Sequence, residues 1–412
     1  MPPVAAAEFV ETPIAVFGVL LILGALAAGL AKRSFLSLTA AFVLAGFALG
    51  EGGAGVLELD ARSDFVEGLA IVALILILFR DGLEIDAEML QTAWHLPLRK
   101  LILAMPLTGA LVAFATHALT DLGWTESFLV GALLSPTDPV LSSTVVTNPR
   151  VPRLIRHSLN LESGLNDGLA LAAVLAFTAA AEQRSDFVWW EFVLQDVSFG
   201  LATGLAVAFL AARVMPRGEG FRWEITAHHK ALYALGVAFA AYGAAVLPPE
   251  GNGFIAVFVA AIALGIWRPD VANCFEARSE DVIEVVKLGV FLVFGAILTL
   301  DGLFGDGWAA VAIAAFTLLV ARPLAVFVAL AGSRGVDAYA KGFMAWFGPK
   351  GVATMAFALF VLGSQVPEAE RIANLAALVV LVSIFAHGVT DHAGSEWIAR
   401  RAEREPEGAA VT

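Results

Sequence analysis

The chain has 412 residues, is 59% hydrophobic and only 15% charged, and carries a formal net charge of −13 with a single cysteine. A soluble domain is typically about 25% charged and about 45–50% apolar, so this composition excludes an ordinary soluble fold. The lone Cys274 excludes an intrachain disulfide and a metal site built from several cysteines.

Apolar runs of about 18 residues or more recur from end to end, each long enough to cross a hydrocarbon core of about 30 Å. The chain reads as an all-α polytopic membrane protein. The alternating ten-residue segments of a transmembrane β-barrel are absent. Thirteen spans are expected, at roughly 14–31, 35–50, 66–83, 101–119, 126–147, 158–181, 192–214, 231–247, 253–267, 282–300, 307–331, 342–363 and 371–390. Met1 to Pro13 has no Lys or Arg and holds Glu8 and Glu11. That does not fit the positive start of a secretory signal, so 14–31 reads as a retained first span.

Lys and Arg gather in the connections that follow odd-numbered spans: Lys32 and Arg33, Arg99 and Lys100, Arg150 to Arg156, Arg213 to Lys230, Arg268 to Lys287, Arg334 and Lys341, and Arg400 to Arg404. The alternate connections hold only Arg62, Arg184 and Arg371. By the positive-inside rule the N-terminus lies outside and the C-terminus in the cytoplasm. The acidic residues sit in short connections and at the tail, so the net charge marks neither a basic partner nor nucleic acid.

Spans one and eight start, and the prolines of spans five and twelve fall, at a nearly constant offset. This weak echo implies two inverted six-helix repeats, at about 14–181 and 231–392, around a linker helix at about 192–214. The membrane domain is expected over 1–395. Residues 396–412, with Pro406 and Gly408, are expected to form a short cytoplasmic tail without structure.

Span five contains Ser135-Pro136-Thr137-Asp138-Pro139-Val140. Two prolines that lack an N–H interrupt the helix at about mid-membrane, and such backbone is tolerated there only when buried or lining a cavity. Freed carbonyls and the Thr137 hydroxyl suit an alkali cation. Asp138 is expected at the positive start of the following half-helix. Span six opens with Asn160-Leu161-Glu162-Ser163-Gly164-Leu165-Asn166-Asp167-Gly168. Ser163 and Asp167 share one helix face, as do Glu162 and Asn166. An aspartate carried into low dielectric needs a cation or a proton for compensation, and that competition is the chemistry of an exchanger. The plain alternatives are a proline kink in span five and a solvated helix start in span six.

Glu162 would be costly unpaired at depth, and so would Arg322 in span eleven; an ion pair between them solves both problems. Gly348-Pro349-Lys350-Gly351 marks a second break, in span twelve, where Lys350 offsets the negative end of a half-helix. Arg80 and Asp81, at the end of span three, are expected at the membrane edge, neutralising each other. The histidines show no metal-ligand spacing and nothing calls for a cofactor. His228 and His229 read as loop residues, and Ala25 and Gly29 as a small-residue helix contact.

These residues resemble the NhaP-type branch of the monovalent cation:proton antiporter-1 family, related to the sodium/proton exchangers. The resemblance rests on Ser135 to Val140 followed by Glu162 to Asp167, and it covers the membrane domain. It implies thirteen spans with crossed, discontinuous helices five and twelve, a homodimer in the cell membrane, and elevator-like alternating access. It implies that Asp167 binds cation or proton and that Asn166 marks electroneutral exchange. Ser163 and the Thr137 region are implied as further cation ligands, and Glu162 with Arg322 as a structural pair. Two departures stand out. Phe79-Arg80-Asp81-Gly82 replaces a Phe-Glu-Gly-Gly-like end to span three, which leaves that span without an assigned carboxylate ligand. Lys350 replaces the arginine of a Leu-Arg-Gly turn.

The function expected is Na+/H+ antiport. The alternatives are K+/H+ or mixed exchange on the same fold, a passive channel, and, remotely, an intramembrane hydrolase using Ser163 with His387.

Overall fold

A chain crossing lipid must satisfy its backbone polar groups internally, and here it does so with helices. The computed structural model describes residues 5–31, 38–85, 95–138, 148–183, 187–216, 225–248, 251–333 and 336–404. Among them run thirteen helical spans. The first three are α1 (Ala5–Ala31), α2 (Leu38–Leu49) and α3 (Asp64–Leu83). Next come α4 (Leu96–Leu119) and the first half of α5 (Trp124–Leu133), then α6 (Arg153–Gln183) and α7 (Trp189–Val214). The second half of the chain holds α8 (Ala227–Ala245), α9 (Gly253–Trp267), α10 (Pro269–Ala296) and α11 (Trp308–Ala329). Last are α12, in two pieces (Ala338–Trp346 and Val352–Gly363), and α13 (Ala369–Arg404).

Several helix starts are written locally. The Asn252 side chain accepts from Phe254 N and Ile255 N at 3.0 and 3.1 Å, and Asp337 accepts from Ala340 N at 2.8 Å. Two interruptions inside helices also have a local cause. π-Helical segments occupy Lys100–Ala104 in α4 and Thr317–Ala321 in α11. Each is followed by a proline, Pro106 or Pro323, whose ring clashes with the carbonyl four residues back and whose missing N–H frees it. Widening the turn relieves both effects. The same device thus recurs at corresponding places in the two repeats.

The expected spans are found within the described residues, with ends shifted by a few residues, two corrections and one burial that hydropathy does not reveal. First, α13 continues through the segment expected to be an unstructured tail. Glu396 pairs with Arg400 one turn on at 2.7 Å, and Arg150 reaches Glu396 at 3.4 Å and Glu403 at 3.0 Å. These partners hold Glu396 to Arg404 in the helix. Second, Lys100, assigned to a loop, lies inside α4 and is fully buried, because that helix starts earlier than hydropathy indicates. Arg268 lies in the connection where it is expected, between α9 and α10, yet is only 1% exposed. It donates to the carbonyls of Ala212, Met215 and Pro216 at the end of α7 and pairs with Asp270 at 2.8 Å. Residues 139–147 with Pro139 and Val140, the side chains of Ser163 and Gly29, and residues 405–412 lie outside the described residues.

Candidate ion site

The site forms where the break of α5 meets the break of α12. After Leu133 the chain leaves the helix, and Ser135 to Asp138 run irregularly. In α12 the gap is Phe347 to Gly351. The two gaps stitch to each other. Asp138 N donates to Pro349 O at 2.8 Å, and Val352 N donates to the Asp138 carboxylate at 3.2 Å. Asp138, expected at the start of its own second half-helix, therefore caps the second half of α12, where the helix dipole favours its charge. Lys350 does the reciprocal job. Its buried Nζ donates to Ser135 O at 3.2 Å and Pro136 O at 2.9 Å, next to the negative end of the first half of α5. Glycine is required at 351, because a Cβ there would stand 2.3 Å from the Asp138 Cβ.

α6 passes beside this crossing. Asn166 Nδ2 donates to both the Thr137 carbonyl, at 2.6 Å, and the Thr137 hydroxyl, at 3.1 Å. Asn166 thus fixes the irregular strand of α5 to α6, and its Oδ1 is buried without a hydrogen-bond partner among the described residues. Asp167 is buried, and its Oδ1 likewise has no partner. The carboxylates of Asp81 and Asp138 act electrostatically on it, and the Arg80 guanidinium opposes them.

Asp81 is the residue sequence reasoning missed. It was expected at the membrane edge, yet it is 1% exposed. Arg80 Nε donates to its Oδ1 at 2.9 Å, so the expected pairing does form. Its Oδ2 has no hydrogen-bond partner among the described residues. The signal was present in the sequence: an aspartate followed by Gly82, on a helix otherwise apolar from Ala70 to Phe79. The adjacent Arg80 made it read as self-neutralised.

Toward the start of α6, Glu162 is 5% exposed and saturated with cations. Arg322 donates to its Oε1 through both terminal nitrogens at 3.2 Å, and Lys100 Nζ meets Oε2 at 2.6 Å while also donating to Ser158 O at 3.0 Å. The two cations lie at the π-helical segments of α4 and α11, one from each repeat. The Arg322 guanidinium lies against Gly348, where a Cβ would come within 2.0 Å of it. His387, the remote candidate for a hydrolytic base, has both ring nitrogens engaged by Ser383 and Trp346. A cavity of about 500 Å³ opens near Glu51, Glu58, Asp60 and Glu370, and Asp167 is not part of its wall.

Chemically, Asp81, Asn166 and Asp167 each carry a buried oxygen that no described donor satisfies. Buried carboxylates so close together require a cation or a proton for compensation.

Comparison with known proteins bears on this geometry. The family described as "Sodium/hydrogen exchanger, transmembrane" matches residues 18–392. The chain is 25% identical over 408 residues to a K(+)/H(+) antiporter NhaP of Alkalimonas amylolytica, covering 97% of this chain and 69% of that protein. It is 25% identical to a K(+)/H(+) antiporter NhaP2 of Shewanella sp. (strain MR-4), covering 85% of this chain and 60% of the relative, so the chain spans less than two thirds of the NhaP2 length. A Na(+)/H(+) antiporter NhaG of Bacillus atrophaeus is 26% identical over 293 residues, covering 68% of this chain and 54% of that protein. The fold is that of the sodium proton antiporter MjNhaP1 from Methanocaldococcus jannaschii at pH 8, with a TM-score of 0.78, 18% identity, and coverage of 95% of this chain and 99% of that one. The family match runs through every element that builds the crossing, and the chain belongs to the sodium/hydrogen exchanger transmembrane family, in its NhaP-type branch of secondary transporters.

Proposed function

We propose that this protein exchanges a monovalent cation for a proton by alternating access, with Asp167 binding one or the other. The reading rests on one observation: Asp81, Asn166 and Asp167 present buried, unsatisfied oxygens at the crossing of two broken helices. An alkali cation takes such hard oxygen ligands, and a proton bound by Asp167 removes the charge that holds the cation. Asp81 acts as a second carboxylate ligand, with Arg80 balancing its charge. Asn166 secures the α5 backbone around Thr137. With one carboxylate balanced by Arg80, each turnover moves one cation against one proton and is electroneutral.

K+, or K+ together with Na+, is the preferred substrate in this reading. Relatives that match most of the chain carry the name K(+)/H(+) antiporter, whereas NhaG, named for Na+, matches a shorter part. The protein is read as a homodimer in the cell membrane with the N-terminus outside and the C-terminus in the cytoplasm, following the Lys and Arg bias of its connections.

The test is a pH-resolved exchange assay in proteoliposomes with K+, Na+ and Li+ supplied separately. Cation-driven proton movement is expected with K+ at least, and Asp167→Asn is expected to abolish it. Retained exchange in that variant would overturn the role of Asp167. A rate that follows an imposed membrane potential would overturn electroneutrality.

A further inference from the structure

We infer that His387 is a positioning residue for the ion site: from α13 it pins both ends of the break in α12 and, through Lys350, the backbone of α5 that Asn166 grips. The inference rests on the antiport reading for its transport readout alone.

A broken helix inside a membrane protein leaves backbone groups that side chains must satisfy. At the α12 break that supply comes from one face of α13. His387 is 2% exposed and Ser383 is fully buried. His387 Nε2 lies 2.8 Å from the carbonyl oxygen of Trp346, the last residue of the first half of α12. That carbonyl only accepts, whereas Nδ1 has a hydroxyl beside it that can donate, so the single proton of the neutral ring is assigned to Nε2. Nδ1 faces Ser383, 3.1 Å from its hydroxyl and 2.7 Å from its carbonyl. In the neutral ring the hydroxyl donates to Nδ1, and the same hydroxyl oxygen accepts the Lys350 N–H at 2.8 Å. A second ring proton would turn to the Ser383 carbonyl and leave the hold on Trp346 unchanged. One imidazole therefore holds the exit of the first half-helix directly and the entry to the second through one hydroxyl. The Trp346 indole N–H donates to Thr390 Oγ1 at 2.9 Å, a further hold from the same helix.

The relay reaches the site in two steps. The segment held by His387 contains Pro349, whose carbonyl receives Asp138 N, and Lys350, whose Nζ holds the Ser135 and Pro136 carbonyls. Thr137 lies between those contacts, and Asn166 binds both of its oxygens. Movement of the Trp346 to Lys350 segment is transmitted to Thr137 without His387 touching the ion.

The experiment compares wild type, His387→Ala, Ser383→Ala and the conservative His387→Gln, whose amide keeps a donor for the Trp346 carbonyl. Hydrogen–deuterium exchange is read in peptides covering 346–352 and 135–138, beside the apparent KM for K+ and the maximal rate in proteoliposomes. In His387→Ala faster exchange is expected in both segments and nowhere else, with KM about tenfold higher, as for one lost buried hydrogen bond. Ser383→Ala is expected to follow, and His387→Gln to fall between it and wild type. Unchanged deuterium uptake in either segment overturns the inference, as does faster uptake throughout the chain or a loss of rate at constant KM. If His387→Ala does not fold, His387→Gln decides by the same readings. If the wild type exchanges no cation, the antiport reading fails, and the deuterium pattern still decides the role of His387.

Discussion

Two buried carboxylates stand little more than one turn apart on α6, and they live in opposite surroundings. Glu162 has each oxygen held by a cation, one from α4 and one from α11, in charge-assisted contacts of 2.6 to 3.2 Å. Asp167 has an oxygen with no donor among the described residues, and the carboxylates of Asp81 and Asp138 outnumber the one cation that acts on it with them, Arg80, which is itself paired to Asp81. A buried charge surrounded by fixed counter-charges is finished: adding or removing one more costs free energy. A buried charge surrounded by like charges is unfinished, and a mobile cation or proton completes it. Under the proposed function, the contrast separates the brace of the helix from its working group.

The sharpest way to break this comparison is to neutralise the one carboxylate and to strip a partner from the other. Asp167→Asn is expected to abolish exchange in the proteoliposome assay while leaving thermal unfolding in detergent essentially unchanged, since no cation is orphaned. Removing a partner of Glu162 should do the reverse. Arg322→Ala leaves a half-compensated buried charge, and about 3–5 kcal/mol of stability is expected to be lost, read as a lower unfolding temperature and a lower yield of folded protein. If Arg322→Ala keeps wild-type stability, Glu162 is not the brace described here. Asp81→Asn sharpens the working side: the site keeps Asp167 but loses a ligand charge. The apparent KM for the cation is expected to rise about tenfold, and a KM at the wild-type value would remove Asp81 from the ligand set.

The smallest effect belongs to an ion pair in the exposed first turn of α10, ahead of the apolar stretch at 282–300 that crosses the membrane. Asp270 is held below the usual carboxylate range by its hydrogen bond from Arg268 and, further down, by Lys230. A depressed carboxylate contributes stability that is fully present above its unfolded value, about 3.9, and is lost as pH falls below it. Its side chain is 43% exposed, so solvent screening keeps the gain under about 1 kcal/mol. Thermal melts of wild type and Asp270→Asn should differ slightly and equally at about pH 7 and 5. The gap should narrow at about pH 3.

Much of the site was legible because membrane burial makes polar residues expensive. Glu162, Asn166, Asp167, Asp138, Arg322 and Lys350 stand out in apolar spans, and the prolines announce the breaks. Asp81 was hidden by its neighbour: Arg80 beside it gave a local partner, and a sequence does not tell which oxygen that partner leaves free. Lys100 was hidden by position, since a lysine next to an arginine at the start of a span looks like a cytoplasmic anchor. Only the packing of α4 against α6 brings its Nζ to Glu162. The tail misled because its charges are polar by composition, yet they find partners along α13 and on Arg150.

The sequence by itself determined that this is a helical membrane protein with two interrupted spans, and that ionisable groups are carried into it. Hydropathy and proline chemistry act locally, and local order along the chain is what a sequence records. Only the tertiary structure decided which charge meets which. Asp138 caps α12 although it belongs to α5, and Lys350 caps α5 although it belongs to α12. Glu162 draws its cations from both repeats, and Asp167 faces other carboxylates. Each of those pairings joins residues far apart in sequence, and their energies depend on distance and burial, which exist only once the helices are packed.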